Sequence, residues 1–195
     1  MLSQKRHDRN KVYSLHEPEV SCLAKGKDHK RYEFGQKASV ARTLNGGVIV
    51  GAMSFEDARH DSRTLPEVLD QVESLTGSRP RQCVADRGYR GRKTVGETRI
   101  LIPGAPFSRA TAYEKSKARK LFRKRAGIEP IIGHLKSDHR LGRNFLKGLA
   151  GDQINLMMAA AAFNLRKWMN DPLLLRLIAE AVARRFSVKP QANPL

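Results

Sequence analysis

The chain has 195 residues, of which 40% are hydrophobic and 29% are charged. That length fits one main domain with a hydrophobic core and a small helical appendage. The composition is that of neither a membrane protein nor a disordered chain. Cys22 and Cys83 lie far apart without a paired metal-ligand spacing, so we expect neither a disulfide scaffold nor a cysteine metal centre.

The charge is strongly unbalanced. A formal net charge of +18 arises from 37 Lys and Arg against 19 Asp and Glu, and the sequence pI is near 10.5. Residues 109–147 carry 12 basic and 3 acidic side chains, so half of the net charge lies in one fifth of the chain. Such a field attracts polyanions, of which nucleic acid is the commonest inside cells. The charge is equally compatible with a ribosomal or merely solubilised surface.

The first elements are predicted to be strands. Residues 1–12 form a polar, basic stretch without the apolar run of a signal peptide, so we expect a polar tail and a cytoplasmic protein. Strand patterns begin at Tyr32 and Phe34. The turn Asn45-Gly46-Gly47 separates the apolar runs 38–40 and 48–50, because these residue types tolerate the positive φ of tight turns. We therefore predict an antiparallel hairpin here.

A helix and two more strands follow. Thr64 precedes Glu67 by three residues, which predicts a capping box at the start of a helix over residues 64–75, and Gly77 ends that helix. Short apolar runs predict strands at 82–85 and 99–102.

The rest of the chain is predicted to be helical. Residues 111–122 are good helix formers, and Gly127 and Pro130 then either kink this helix or restart it at Pro130. A further helix is expected over residues 152–168, and Asp171-Pro172 has the cap and first-turn proline of another. We expect residues 190–195 to be disordered. Strands early and helices late indicate an α/β fold.

Asp86 stands where an apolar strand ends and a glycine-rich turn begins. In open α/β sheets, ligands gather at such strand ends. An Asp that begins a turn more often serves only as a local hydrogen-bonding residue. The spacing leaves both interpretations open.

Phe122, Arg125, Glu129 and Lys136 form the second constellation. Their offsets place them on one face if the backbone stays close to helical. Neighbouring cations keep a carboxylate ionised, which suits a metal ligand beside phosphate better than a general base. An exposed ladder of ion pairs has the same pattern.

This series of an aromatic residue, Arg, Glu and Lys resembles the signature of bacterial insertion-sequence DDE transposases, whose catalytic domain is ribonuclease-H-like. The resemblance covers about residues 13–168, and Phe122 stands where the family usually has Tyr. Other stretches similar to the family are Tyr13-Ser14-Leu15-His16, Gly26-Lys27, Tyr32-Glu33-Phe34-Gly35, Val84-Ala85-Asp86-Arg87-Gly88-Tyr89-Arg90-Gly91 and Ile128-Glu129-Pro130-Ile131-Ile132-Gly133-His134-Leu135-Lys136.

The resemblance implies a ribonuclease-H-like mixed sheet and a site of three carboxylates that holds two Mg²⁺ or Mn²⁺ ions. Asp86 is then the second acid and Glu129 the third, and both are catalytic metal ligands. The implied partners are the DNA of the transposon ends and of the target. The residues expected to contact that DNA are Arg125, Lys136, Arg123, Lys124 and Tyr89.

The first acid has no counterpart at its expected place. In the family it lies on the central first strand, upstream of the region that matches residues 13–16. The carboxylates near the start of this chain follow no apolar strand of the expected kind; they are Asp8, Glu17, Glu19 and Asp28. We therefore expect the C-terminal part of a transposase, with an incomplete sheet whose exposed strand edges require a homodimer or the missing N-terminal half. Alone, it is expected to be inactive.

The expected organisation is a partial catalytic domain over residues 13–147 and a C-terminal helical cap over residues 148–189. A bacterial protein of this kind is expected in the cytoplasm at the nucleoid, without a membrane partner. The alternative is a non-catalytic basic module that binds nucleic acid, since the charge supports both.

Overall fold

The computed structural model describes residues 3–5, 8, 11–27, 30–57, 59–103 and 110–186. Asp28 and the tail 190–195 lie outside the described residues. The strands are β1 Ser21–Lys27, β2 Lys30–Gly35, β3 Lys37–Arg42, β4 Ile49–Phe55, β5 Gln82–Val84, β6 Thr94–Val95 and β7 Thr98–Leu101. The α-helices are α1 Asp61–Thr76, α2 Ala112–Ala126, α3 Ile128–Ser137, α4 Gly148–Met169 and α5 Pro172–Phe186, and a short 3₁₀ helix spans Arg87–Tyr89.

The predicted hairpin is confirmed as the antiparallel pair β3 and β4. Its turn closes through a 2.8 Å hydrogen bond from the Thr43 amide to the Val48 carbonyl, and Gly47 has a φ of 64°. A side chain strains that backbone conformation, which is why a glycine occupies it. A second antiparallel pair joins β1 to β2, of which only the strand signals at Tyr32 and Phe34 were visible in the sequence.

Helix α1 starts one turn earlier than predicted, so the capping box at Thr64 is wrong. His60 caps the helix instead, because its side chain accepts from the Ser62 amide. The Thr64 hydroxyl is buried and donates to the Asp61 carbonyl at 2.8 Å, while Glu67 pairs with Arg59. The predicted end at Gly77 is confirmed, since Gly77 has a φ of 72° and its amide bonds to the Glu73 carbonyl.

The strands predicted around residues 82–85 and 99–102 are confirmed as β5 and β7, which run parallel. The short strand β6 adds to the other edge of β7 in the antiparallel sense, so this sheet is mixed. Among the described strands, β3 pairs with β4 and β5 pairs with β7, and no ladder joins β3 to β5. The mixed α/β architecture is consistent with the incomplete ribonuclease-H-like fold that the resemblance implies.

The helical half follows the expected order. The break near Gly127 is confirmed: α2 ends at Ala126 and α3 begins at Ile128, which puts Pro130 in the first turn of α3 and not at its start. Helix α4 is longer than predicted. At the start of α5, Asp171 accepts from the Leu173 amide at 3.0 Å, so the predicted cap is confirmed.

Two buried clusters hold these elements together. The first joins β4, α3 and α4 through Ile49, Ala52, Ile131, Leu135, Leu156, Ala159 and Ala160. The second joins α1 to the mixed sheet through Leu65, Leu69, Ala85, Val95 and Ile100. The site described next lies where the elements of the two clusters meet.

The outer edge of β4 is closed by side-chain amides from two helices. Asn164 of α4 bonds both the amide and the carbonyl of Ile49, at 2.9 and 2.8 Å. Gln71 of α1 does the same at Ala52, and Gln153 of α4 donates to the Ala52 carbonyl and accepts from the Ser54 amide. These amides satisfy backbone groups that another strand would otherwise pair with.

Leu156→Ala should lower the free energy of unfolding by about 2 to 5 kcal/mol, because it leaves a cavity at a side chain that is 1% exposed. Chemical denaturation monitored by circular dichroism measures the change. Leu165→Ala is the control on the same helix, since Leu165 is 56% exposed, and it should change stability by no more than about 0.5 kcal/mol. Equal effects of the two substitutions would contradict this placement of α4.

Candidate active site

Asp86 lies just after β5, and its two carboxylate oxygens have different tasks. Oδ1 accepts a 2.8 Å hydrogen bond from the Gly88 amide and so caps the 3₁₀ helix. Oδ2 faces away from that turn and accepts from Nη2 of Arg125 at 3.0 Å. The two interpretations that the sequence left open are therefore compatible: one oxygen fixes the turn, and the other is available to a cation.

Arg125 brings the two acids that the sequence singled out to one place. Its Nη1 donates to Oε1 of Glu129 at 3.1 Å, while its Nη2 binds Asp86, which lies 39 residues earlier in the chain. The pairing of Arg125 with Glu129 spans the break between α2 and α3 and keeps the spacing of one helical turn. A single guanidinium therefore links the end of β5 to the start of α3.

Asp61 is a third carboxylate near this place, and the sequence patterns missed it. A Cβ added to Gly88 would lie 2.5 Å from Oδ2 of Asp61 and 3.0 Å from Oδ1 of Asp86, so both acids converge over the glycine. Lys37 of β3 neutralises Asp61, with Nζ 2.6 Å from Oδ1. The signal was an acid six residues after the end of β4, at the first residue of α1, which went unnoticed because the helix was expected to start later.

Tyr89 is held inside the turn by its hydroxyl and its ring. The hydroxyl lies 3.2 Å from the Ser39 hydroxyl, and the ring packs against the cluster of α1 and the mixed sheet. Burial raises the pKa of the Tyr89 hydroxyl, and the nearby charges of Asp61 and Asp86 act in the same direction. The phenol is therefore protonated and able to donate at neutral pH.

The other basic residues expected to contact DNA lie in the last turns of α2 and α3. Arg123 and Lys124 are exposed in the last turn of α2, and Lys124 donates to Oδ1 of Asn45 at 2.7 Å in the β3 to β4 turn. Lys136 is exposed in the last turn of α3, seven residues from Glu129 and so on the same helix face. The structure thus places cations on the side of Glu129 that faces solvent.

The acids fit a divalent cation in ligand type and fall short in number. Carboxylate oxygens are the hard donors that Mg²⁺ and Mn²⁺ prefer. Within the described residues, no group of three or more His, Cys, Asp or Glu side chains is arranged to hold a metal ion. Asp8 accepts from the Lys5 amide and Glu17 from the Gly148 amide, so both are engaged in local or long-range structure elsewhere. Among the described residues, Asp86 and Glu129 are thus two carboxylates that converge on Arg125 without a third ligand arranged to complete a metal site.

A cavity of about 390 Å³ separates β3 from β5 beside these acids. Residues 38–44 and 82–86 line it consecutively, which means that strand edges and not only strand faces border the space. Apolar side chains of α1, α2 and α3 line the remaining walls, and Asp86 and Arg125 border the cavity as well. Unlike the outer edge of β4, this space lies between β3 and β5, for which the described part of the chain provides no ladder partner on that side.

The sequence that contains these residues matches a known protein family. The family model described as a transposase DDE domain matches residues 7–165. The chain belongs to this family. The match confirms the resemblance seen in the sequence, and its enzymes act on nucleic acid by cleavage and transfer and generally use divalent metal ions. Comparisons with curated proteins and with solved structures returned no match. None of the described helices is both long and apolar enough to cross a bilayer.

Gly88→Ala should displace the turn that carries Asp86, because the added methyl group would overlap a carboxylate oxygen of Asp61. We expect a loss of about 1 to 3 kcal/mol of stability, as for other overpacked positions. Thermal and urea unfolding measure it. Gly133→Ala in α3 is the matched control, since a Cβ there meets nothing within 4 Å, and it should stabilise the helix by about 0.5 to 1 kcal/mol. A neutral Gly88→Ala would argue against the convergence of Asp61 and Asp86.

Proposed function

We propose that this transposase DDE domain belongs to an insertion-sequence enzyme that cuts and joins DNA strands, with Asp86 and Glu129 as its catalytic metal ligands. The observation that carries the proposal is the shared guanidinium of Arg125, which holds the two acids together although they lie on separate elements. Surface ladders join neighbours on one helix, whereas this contact joins a strand end to a helix. Such a convergence of acids supports a site more than it supports an ion-pair ladder.

Divalent ions bound by these acids supply the chemistry, because they activate water or a 3′-hydroxyl and stabilise the leaving oxygen of an in-line displacement at phosphorus. The chain's own contribution is placement. The Gly88 amide fixes one oxygen of Asp86, so the other keeps its direction. Glu129 lies in the first turn of α3 and is more exposed, at 69% against 41% for Asp86, so it faces the side from which DNA arrives.

The DNA contacts are assigned to Arg125, Lys136, Arg123, Lys124 and Tyr89. The first four are cations in the last turns of α2 and α3, and they suit phosphate oxygens on either side of the reacting bond. Tyr89 is proposed as a further contact at the same edge, where it is half-buried. Its hydroxyl lies 3.2 Å from that of Ser39, so a DNA contact through the hydroxyl would replace that partner. These contacts position the transposon ends and the target, and none of them transfers protons.

We further propose that the chain is the C-terminal portion of the enzyme and is inactive alone. Residues 13–147 form a partial catalytic domain and residues 148–189 a helical cap, and the protein acts in the bacterial cytoplasm at the nucleoid. Support comes from the cavity between β3 and β5, whose borders are strand edges beside Asp86. A central strand with the first Asp at its end suits that space, supplied by the N-terminal half. A second copy of this chain could cover the strand edges but would not bring that Asp.

The activity test compares the chain with a version extended by a strand that ends in an Asp, taken from the upstream reading frame or from another transposase DDE domain. The chain alone should neither nick nor join transposon-end DNA in Mg²⁺, because two carboxylates can hold one divalent ion but leave the second of two closely spaced ions weakly bound. The extended protein should do both. Denaturing gels of end-labelled DNA measure the products.

In the extended protein, Asp86→Asn and Glu129→Gln should each abolish cleavage and leave DNA binding nearly intact. Asp70→Asn is the control, since Asp70 is an exposed acid of α1 that pairs with Arg79 away from the site. Cleavage by the 195-residue chain itself would overturn the proposed incompleteness. Retained cleavage in the Glu129→Gln protein would reduce the contact with Arg125 to a structural ion pair.

DNA binding by the 195-residue chain should show little sequence preference and a steep dependence on salt. Neutralising roughly six phosphates gives a slope of log affinity against log salt near −5. Fluorescence anisotropy between about 50 and 200 mM salt measures this slope. A non-catalytic binding module has the same slope, so only the cleavage test separates the two functions. An affinity that hardly changes with salt would contradict both.

A further inference from the structure

Arg125 occupies the position where a cation is needed to hold Asp86 and Glu129 together. Its two terminal nitrogens bind one acid each, at 3.0 and 3.1 Å. The oxygens that face it, Oδ2 of Asp86 and Oε1 of Glu129, are the donors that the proposed function assigns to a divalent ion. The Arg125 side chain is only 23% exposed, so the contact is partly shielded from water.

A divalent ion and the guanidinium cannot both occupy the space between the acids. A metal ion requires carboxylate oxygens at about 2.0 to 2.2 Å, and a guanidinium placed between the same oxygens excludes it sterically and repels it. Binding of metal between these acids therefore requires Arg125 to leave.

We propose that Arg125 is a positioning residue that holds Asp86 and Glu129 in register before metal binds, and that metal binding releases it toward a DNA phosphate. The proposal rests on the function assigned above and adds a role for Arg125 beyond a contact with DNA. Arg125 then binds its two kinds of anionic partner, the carboxylates and the phosphate, at different times. The carboxylates hold it first, and the phosphate receives it once metal has neutralised them.

The surroundings allow the side chain to move while its helix stays in place. Helix α2 is anchored to the β3 to β4 hairpin near its end, because Lys124 bonds Asn45 and the Lys124 carbonyl accepts from Arg42. The Arg125 side chain is 23% exposed and its partner Glu129 is 69% exposed, so the contact borders solvent. A long side chain at the solvent border can change rotamer without displacing its helix. Release therefore needs no rearrangement of the fold.

The release of Arg125 couples metal binding to DNA binding in both directions. Metal frees a cation for phosphate, and phosphate in turn holds Arg125 away from the acids, so each ligand strengthens the binding of the other by the same factor. Metal neutralisation of the acids alone produces some coupling of this sign, so the decisive measurement must follow Arg125 itself.

The direct test modifies the wild-type 195-residue chain with phenylglyoxal, which reacts with accessible arginines, and measures each site by mass spectrometry. Arg119, an exposed residue on the same helix, is the internal reference. Millimolar Mg²⁺ should raise the modification rate of Arg125 several-fold and leave that of Arg119 unchanged. In an Asp86→Asn, Glu129→Gln double variant, Arg125 should react fast with or without Mg²⁺.

A second test measures Mn²⁺ binding to the DNA-free chain by calorimetry. Arg125→Gln should bind Mn²⁺ about tenfold tighter because the competing contact is gone, whereas Arg119→Gln, with the same change of charge, should bind it like wild type. Circular dichroism establishes that each variant is folded. If Arg125→Gln fails to fold, Arg125→Lys is measured instead, since it keeps the charge but cannot span both acids.

The outcomes separate this inference from the proposed function. In one outcome, Asp86→Asn abolishes Mn²⁺ binding, but the phenylglyoxal reactivity of Arg125 does not change with metal. This result overturns the release of Arg125 and still supports the metal site. Mn²⁺ binding that neither Asp86→Asn nor Glu129→Gln affects overturns the metal site itself. Absence of Mn²⁺ binding in both wild type and Arg125→Gln also overturns the inference, because removal of a competitor should make the site available.

Discussion

The contact that organises the candidate site is the sharing of one guanidinium by two carboxylates. Asp86 follows a strand of the mixed sheet and Glu129 lies on a helix that packs against β4, and Arg125 bridges these two separate elements. Mutual repulsion would otherwise push the acids apart, since charges of like sign at short range destabilise a partly buried site. Because the chain breaks at Gly127, Arg125 lies in the last turn of one helix and Glu129 in the first turn of the next.

Some strand edges in this fold are covered by side chains and others are not, and the uncovered edges mark the incomplete part of the fold. Side-chain amides of Gln71, Gln153 and Asn164 close the outer edge of β4, which is how a finished sheet edge is protected from further pairing. Edge groups of β3 and β5 instead border a cavity with apolar walls. An apolar space between two strand edges favours a strand as its occupant, because a strand satisfies backbone and side-chain surfaces together.

Most elements were predictable because their signals are local. Asn45-Gly46-Gly47, Gly77 and Asp171-Pro172 each act on the backbone within a few residues of themselves, so a short window of sequence reveals them. The start of α1 was missed because His60 caps it, and histidine is a weak helix-start signal beside the Thr64 to Glu67 pair. The approach of Asp61 to Asp86 depends on the packing of α1 against the sheet, which no local pattern encodes. Asp86 and Glu129 themselves were identified through resemblance to the family.

In the proposed function, DNA affinity and catalytic competence depend on different parts of this chain. Affinity would arise from the excess of basic residues over 109–147, much of which lies on exposed faces of α2 and α3 and does not require the acids. Competence requires acids that repel phosphate until a cation neutralises them. Arg125 belongs to both parts, because its charge counts toward the basic surface while its contacts belong to the acids. A guanidinium suits this position better than an ammonium group, since its planar fork binds two carboxylates at once and remains charged throughout.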